Sequence, residues 1–209
     1  MDVSGSISED NYTLQKQSYA NAIRSLIPTD GTIALSVVQF GKDNAISIGW
    51  TWINSITARD AFATAVLGLT RTGIDTSSTA IGEAIYTANS SFASLLSWAN
   101  YNIIDVTTDG VNNHGRSPVD AAQNVVNNGD TNVVNALGIG TSTAPNFSYG
   151  TNYDGSTAFC MLTPDFAAFS AALNEKFTKE IPSLPEPTTM LLLGFGLTGL
   201  ATLRRKFKV

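Results

Sequence analysis

Cysteine and histidine are almost missing from this chain. With Cys160 alone among 209 residues, no internal disulfide can form. It lies in the apolar run TAFCML and is expected to be a buried small hydrophobe. With His114 alone, histidine-rich metal sites are excluded, and so is any Ser-His-Asp arrangement not built on that residue. Charge is also sparse, at 14% of residues. Four of the twelve Lys and Arg residues (Arg204, Arg205, Lys206 and Lys208) crowd into the last six positions, leaving eight basic against seventeen acidic residues elsewhere, a net of −9. A body this acidic repels phosphate backbones, so no nucleic-acid partner is expected. Cations and basic groups suit it better. Long apolar runs are absent until the C-terminus, yet 43% hydrophobic residues over this length suffice for one buried core.

Helical and strand-like patterns alternate along that core. Ser8 predicts an N-cap with Glu9 and Asp10 in the first turn, where they favour the helix dipole. Tyr12, Tyr19, Ala22, Ile23 and Leu26 then recur at helical spacing until Pro28. TIALSVVQF reads as a buried strand and AISIGWTWI as its hairpin partner across GKDN. Further helices are predicted from Thr57 (cap) to Leu67, from Thr79 to Trp98, after Ser117-Pro118, and from Thr163 (cap) to Lys179. YNIIDVTT and TNVVNALGIG read as strands between them, and the Gly140–Ser156 stretch, with Asp154, as a surface loop. Trp50 and Trp52 alternate on one strand face and are expected to pack under a helix. His114 is expected in a solvated loop. The order of elements predicts an α/β fold, a doubly wound, mainly parallel sheet with helices on both faces. Such sheets place their sites outside the carboxyl ends of the strands.

Oxygen ligands collect at those ends. DVSGS supplies Asp2, Ser4 and Ser6, the SSTAIG stretch supplies Thr79, and TTDG supplies Asp109. Singly, each reads as a turn or a cap. Together they make two carboxylates and three hydroxyls, a hard set suited to Mg²⁺, Mn²⁺ or Ca²⁺ rather than zinc or copper. Two carboxylates only balance a divalent ion, which leaves it free to attract an acidic group from outside.

DVSGS, Thr79 and TTDG in this order resemble the metal-ion-dependent adhesion site of von Willebrand factor A-type (vWA) domains, over about residues 2 to 180. IDVTTDGVNNHG and GWTWI are similar to an uncharacterised bacterial branch of that family. The resemblance implies that Ser4, Ser6 and Thr79 ligate the ion directly, and that Asp2 and Asp109 hold it directly or through water. In the family a buried, central strand leads into the first motif, whereas only Met1 precedes Asp2 here. The expectation is therefore a first central strand missing from the given chain, with a true start upstream that restores it and a leader.

After residue 180 the composition changes. Residues 181–187 read as a linker that ends in Pro185-Glu186-Pro187. Residues 188–209 read as a short apolar helix with a basic end that includes Arg204, Arg205 and Lys206. The apolar part, Thr188 to Leu203, would span about 24 Å, against a hydrocarbon core of about 30 Å. This tail resembles the PEP-CTERM sorting signal. That implies export, transient inner-membrane anchoring through the helix, removal of the tail by an exosortase-type enzyme, and a place in the cell envelope or outside the cell.

The function expected from these readings is a cell-surface or matrix binding protein that uses the ion to grip an acidic protein or polysaccharide, without turnover. A metal-dependent hydrolase of phosphatase type is the alternative, weakened because DVSGS lacks a second carboxylate two residues after the first and no general base is evident. A structural matrix protein with a vestigial metal site is the third reading.

Overall fold

The computed structural model describes residues 1–141 and 145–181. Its first helix, α1 (Glu9–Leu26), begins as its sequence dictates: the Ser8 hydroxyl accepts the Asn11 N–H at 3.2 Å. Strands β1 (Ala34–Phe40) and β2 (Asn44–Trp52) form the expected antiparallel hairpin. Helices α2 (Ile56–Leu67) and α3 (Ile81–Ser91) follow, then β3 (Ile103–Thr108), α4 (Pro118–Asn128) and β4 (Val133–Ile139). A two-residue strand β5 (Tyr149–Gly150), β6 (Cys160–Thr163) and α5 (Phe169–Glu180) complete the described fold.

β3, β4 and β6 are parallel, and β5 lies antiparallel against the first residues of β4. Residues Met1–Val3 join this sheet to the hairpin. Val3 donates to the Phe40 carbonyl at 2.8 Å and Phe40 to that of Met1 at 3.2 Å, while Asp2 donates to Thr107 on β3 at 3.1 Å. The chain start thus lies between β1 and β3, where the resemblance places a central strand, and it pairs there over three residues.

Side chains alternate across the sheet with period two. On β4, Leu137 and Ile139 enter one core with α1, α2 and α5, including Ile23, Phe62, Phe169 and Leu173. Val134 and Ala136 enter the other with α3 and α4, including Ile85, Phe92 and Val125. Helices therefore cover both faces, and every residue of β4 is buried.

Several local expectations are corrected. Ser55, not Thr57, caps α2, accepting the Ala58 N–H at 3.1 Å. The helix expected from Thr79 to Trp98 starts at Ile81, ends at Ser91, and gives way to a 3₁₀ segment, Phe92–Trp98. Thr163 caps no helix: it ends β6, and α5 starts only at Phe169, because pairing with β4 outcompetes the local Thr-Pro signal. The Gly140–Ser156 stretch holds β5 as well as loop. Trp50 packs on Phe92 with ring centroids 5.3 Å apart and donates to the Ser91 carbonyl, while Trp52 stays 37% exposed. Cys160 is half-buried, its thiol pushed up to about 11 by burial. Among the described residues no helix is long and apolar enough to cross a membrane. The expected apolar helix of 188–209 lies outside those residues.

Candidate metal centre

Residues from three separate loops meet at the carboxyl ends of β3 and of the Met1–Val3 bridge. Asp2 is fully buried. One of its oxygens accepts the Ser4 N–H at 2.8 Å, and the other accepts the Thr108 hydroxyl at 2.6 Å. With both oxygens engaged, Asp2 anchors the loop. Ser4 and Ser6 point their hydroxyls at one another, 3.1 Å apart, and Ser6 also donates to Asp109 Oδ1 at 2.7 Å. Asp2, Ser4, Ser6 and Asp109 thus form one connected cluster.

Thr79 arrives on the third loop. Its hydroxyl oxygen lies 3.7 Å from where a Cβ on Gly110 would stand, next to Asp109. Asn113 holds it in place twice, through its side-chain oxygen to the Thr79 N–H (2.8 Å) and its own N–H to the Thr79 carbonyl (3.0 Å). Gly41 lets the same loop approach the sheet: a Cβ there would stand 2.5 Å from the Asp75 carbonyl oxygen. Gly5 N–H to Thr76 O (2.7 Å) ties this loop to the first one.

Four of the five sequence-predicted positions share one hydrogen-bonded cluster, and Thr79 lies beside it against Gly110. Thr108 and Asn113 were not singled out, although both lie in the TTDGVNN stretch that carries Asp109. His114 is exposed, as expected.

The electrostatics are unbalanced. Burial raises the Asp2 carboxyl above its usual range, against its Thr108 and Ser4 hydrogen bonds, and burial likewise raises Asp109, helped by the charge of Asp2. Both are stabilised chiefly by hydroxyl and amide donors. Arg71 exerts some attraction on Asp109, but its guanidinium is stacked 4.5 Å over Tyr12 and donates to the Ser8 carbonyl. Two desolvated carboxylates facing hydroxyl oxygens fit a hard cation. Among the described residues no three His, Cys, Asp or Glu side chains gather into a cage, so a cation here would depend on the serine and threonine hydroxyls.

Residues 1–185 match the family described as protein of unknown function (DUF1194), and residues 183–206 match the PEP-CTERM protein-sorting motif. A search of curated proteins finds no match. Proximal thread matrix protein 1 from the mussel byssus is similar in structure with TM-score 0.65 at 20% identity, over 85% of this chain and 44% of that one. Another structure of that protein has a zinc-occupied MIDAS motif. A von Willebrand factor type A protein from Catenulispora acidiphila gives 0.63 at 18%, over 86% and 41%. BatB from Bacteroides thetaiotaomicron gives 0.58 at 18%, over 86% and 95%. At these identities the likeness is one of fold, and this chain spans under half the length of the mussel and Catenulispora proteins. The chain belongs to the DUF1194 family, has a fold similar to that of vWA domains, and carries a PEP-CTERM sorting motif after it.

Proposed function

We propose that this is an exported surface or matrix protein that binds an acidic ligand through a divalent ion held by Ser4, Ser6, Thr79, Asp2 and Asp109. One observation carries the reading: Asp2, Ser4, Ser6 and Asp109 form a continuous cluster in which the buried Asp2 and the half-buried Asp109 are held by hydroxyl and amide donors. When bound, the ion supplies positive charge for a ligand's carboxylate. The protein's own groups divide the work. Asp2 fixes the turn through Ser4 N–H and Thr108. Asn113 holds Thr79, and Ser6 orients Asp109. Export rests on the sorting motif, whose removal would fall to an exosortase-type enzyme. Of the candidate ions, Mg²⁺ and Mn²⁺ suit two carboxylates and retained waters better than Ca²⁺, which favours more oxygen ligands.

Calorimetric titration of Mg²⁺, Mn²⁺ and Ca²⁺ into the full chain and into Asp109→Ala tests the proposal. One-site binding that vanishes in the variant is expected. Equal heats in both proteins, or none in either, would refute it.

A further inference from the structure

Three ionisable side chains with no part in the oxygen cluster converge between β3 and α5. Lys176 of α5 is fully buried, with its Nζ 2.7 Å from Asp105 Oδ1 on β3 and also against Glu180, one helical turn further on. Asp105 stands mid-strand opposite Asn135 of β4. Asn135 donates to Glu180 (2.9 Å) and to Asn152 (2.8 Å), and its side-chain oxygen accepts the Phe159 N–H at 3.1 Å. The Phe159 ring lies 5.2 Å from Nζ and helps to keep water from it.

Two features separate this group from a simple ion pair. Asp105 Oδ1 is buried and accepts no hydrogen bond among the described residues, although Nζ is so near. The amine is thus close to the carboxyl group without being aligned to donate to that oxygen. A carbon–oxygen bond is about 1.2 Å, so Asp105 Cγ lies no more than about 4 Å from Nζ. The second feature is an excess of carboxyl groups over amines. Burial lowers the Lys176 ammonium, but the charges of Asp105 and Glu180 raise it further, so the nitrogen starts protonated. Burial pushes Glu180 up to about 7, so near neutral pH this second carboxyl holds a proton that it can pass on.

We propose that Lys176 and Asp105 condense to an amide within the folded protein, with Glu180 as the catalytic proton carrier. An ammonium proton first passes to the Asp105 carboxylate, leaving a neutral amine and a carboxylic acid. The nitrogen lone pair then forms a bond to Cγ, and the carbonyl electron pair moves onto oxygen. One Glu180 oxygen takes a second proton from nitrogen, while the other delivers the proton that Glu180 already held to the departing hydroxyl. The C–O bond breaks, the carbonyl re-forms and water leaves. The Asp105 side chain keeps 20% exposure, which gives that water an exit. Ammonium and carboxylate thus become amide and water, and Glu180 ends protonated as it began. Two effects drive the step. Groups held in a reactive geometry reach effective molarities of about 10⁵–10⁸ M. Condensation also removes one positive and one negative charge from the interior, each costly to hold away from water. The freshly folded chain carries the ion pair, and the amide forms from it more slowly. The product ties β3 covalently to α5, the helix that leads to the sorting motif.

The test is the intact mass of the full chain, followed over prolonged incubation at neutral pH, with peptide mapping of the product. The folded wild type should become lighter than its sequence by one water. Its digest should contain a branched peptide that joins the segment bearing Asp105 to the one bearing Lys176. The branch is the deciding signal, because imide formation at an Asp-Gly pair such as Asp109-Gly110 also releases water. Lys176→Met should keep its full mass. Glu180→Gln, which leaves both reacting groups in place, should fold and form the branch at least about a hundredfold more slowly. A folded wild type that retains its full mass, or loses water without the branched peptide, overturns the proposal. A branch formed by Glu180→Gln at the wild-type rate overturns the role given to Glu180.

Discussion

Strand β3 carries one aspartate, Asp105, and is followed directly by another, Asp109, and the protein treats them in opposite ways. At Asp105, mid-strand, a lysine comes to meet the carboxylate. Lys176 of α5 is fully buried and its Nζ lies 2.7 Å from Asp105 and also against Glu180. Asn135 on the neighbouring strand donates to Glu180 at 2.9 Å and to Asn152 at 2.8 Å. At Asp109, just past the strand's end, the Ser6 hydroxyl donates to the carboxylate at 2.7 Å. The first group holds its own cation, whereas Asp2 and Asp109 are held chiefly by hydroxyl and amide donors. The contrast shows that the fold can supply a buried lysine where a cation is needed permanently. The strand end is where the proposed cation from solution would bind.

Removing the internal cation should break this contrast most severely. Lys176→Met leaves Asp105 and Glu180 facing each other in the protein interior, and a loss of about 3–5 kcal/mol in chemical denaturation is expected. A change under 1 kcal/mol would mean that the lysine does not neutralise them. The corresponding effect at the strand end should come from outside. A divalent ion at 100 times its dissociation constant should add about 2.7 kcal/mol, read as a higher Tm that chelator reverses and Asp109→Ala abolishes. A Tm indifferent to both metal and chelator would remove the distinction between the two sites.

Acid titration sharpens the same comparison at the internal cluster. Burial pushes the Glu180 carboxyl up from 4.5 to about 7, against the pull of Lys176 and Asn135 and with the charge of Asp105 adding to the rise. A carboxyl raised in the folded state binds its proton more tightly there. Its contribution to stability is therefore full below pH 4.5 and is lost as the pH rises through 7. Wild-type stability should fall across that window by on the order of 2 kcal/mol, and Glu180→Gln should flatten the slope. The smallest effect concerns Asp109→Asn in chelator, where a desolvated charge disappears and no cation is lost. Stability there should hold or rise by no more than about 1 kcal/mol, opposite in sign to Lys176→Met. A clear loss would show Asp109 serving as a structural residue.

The cluster of oxygen groups at the strand end was legible in the sequence because its residues occur in short polar runs that interrupt apolar strands. The Lys176 cluster was not, because its members are single polar residues within regular elements. Asp105 sits in IIDVTT, and Lys176 falls on the buried stripe of α5 with Phe169, Leu173, Phe177 and Glu180. A lysine on an apolar helical face, with an aspartate in an otherwise apolar strand, was the available signal. Element types mostly followed from periodicity, and the caps of α1 and α4 followed from Ser8 and Ser117. Boundaries failed where two signals competed. Ser55 and Thr57 are both good caps, and only the first meets a free N–H in the right place. Thr163-Pro164 has the form of a helix start, but the open side of β4 recruits CMLT as a strand. Helix α3 stops at Ser91, whose carbonyl is taken by the indole of Trp50 from a distant strand.

The position of Lys176 also has a mechanical meaning. Helix α5 ends at Glu180, three residues before the start of the sorting motif at residue 183. Tension entering the domain through residue 181 runs along α5 and reaches the lysine one helical turn in. The bond between Lys176 and Asp105 fastens that turn to the middle of β3, whose backbone is held by β4 over six residues. A pull at the tail is therefore delivered as shear to the interior of the sheet, where many hydrogen bonds share it. The strand that resists the load is the one that leads directly into Asp109.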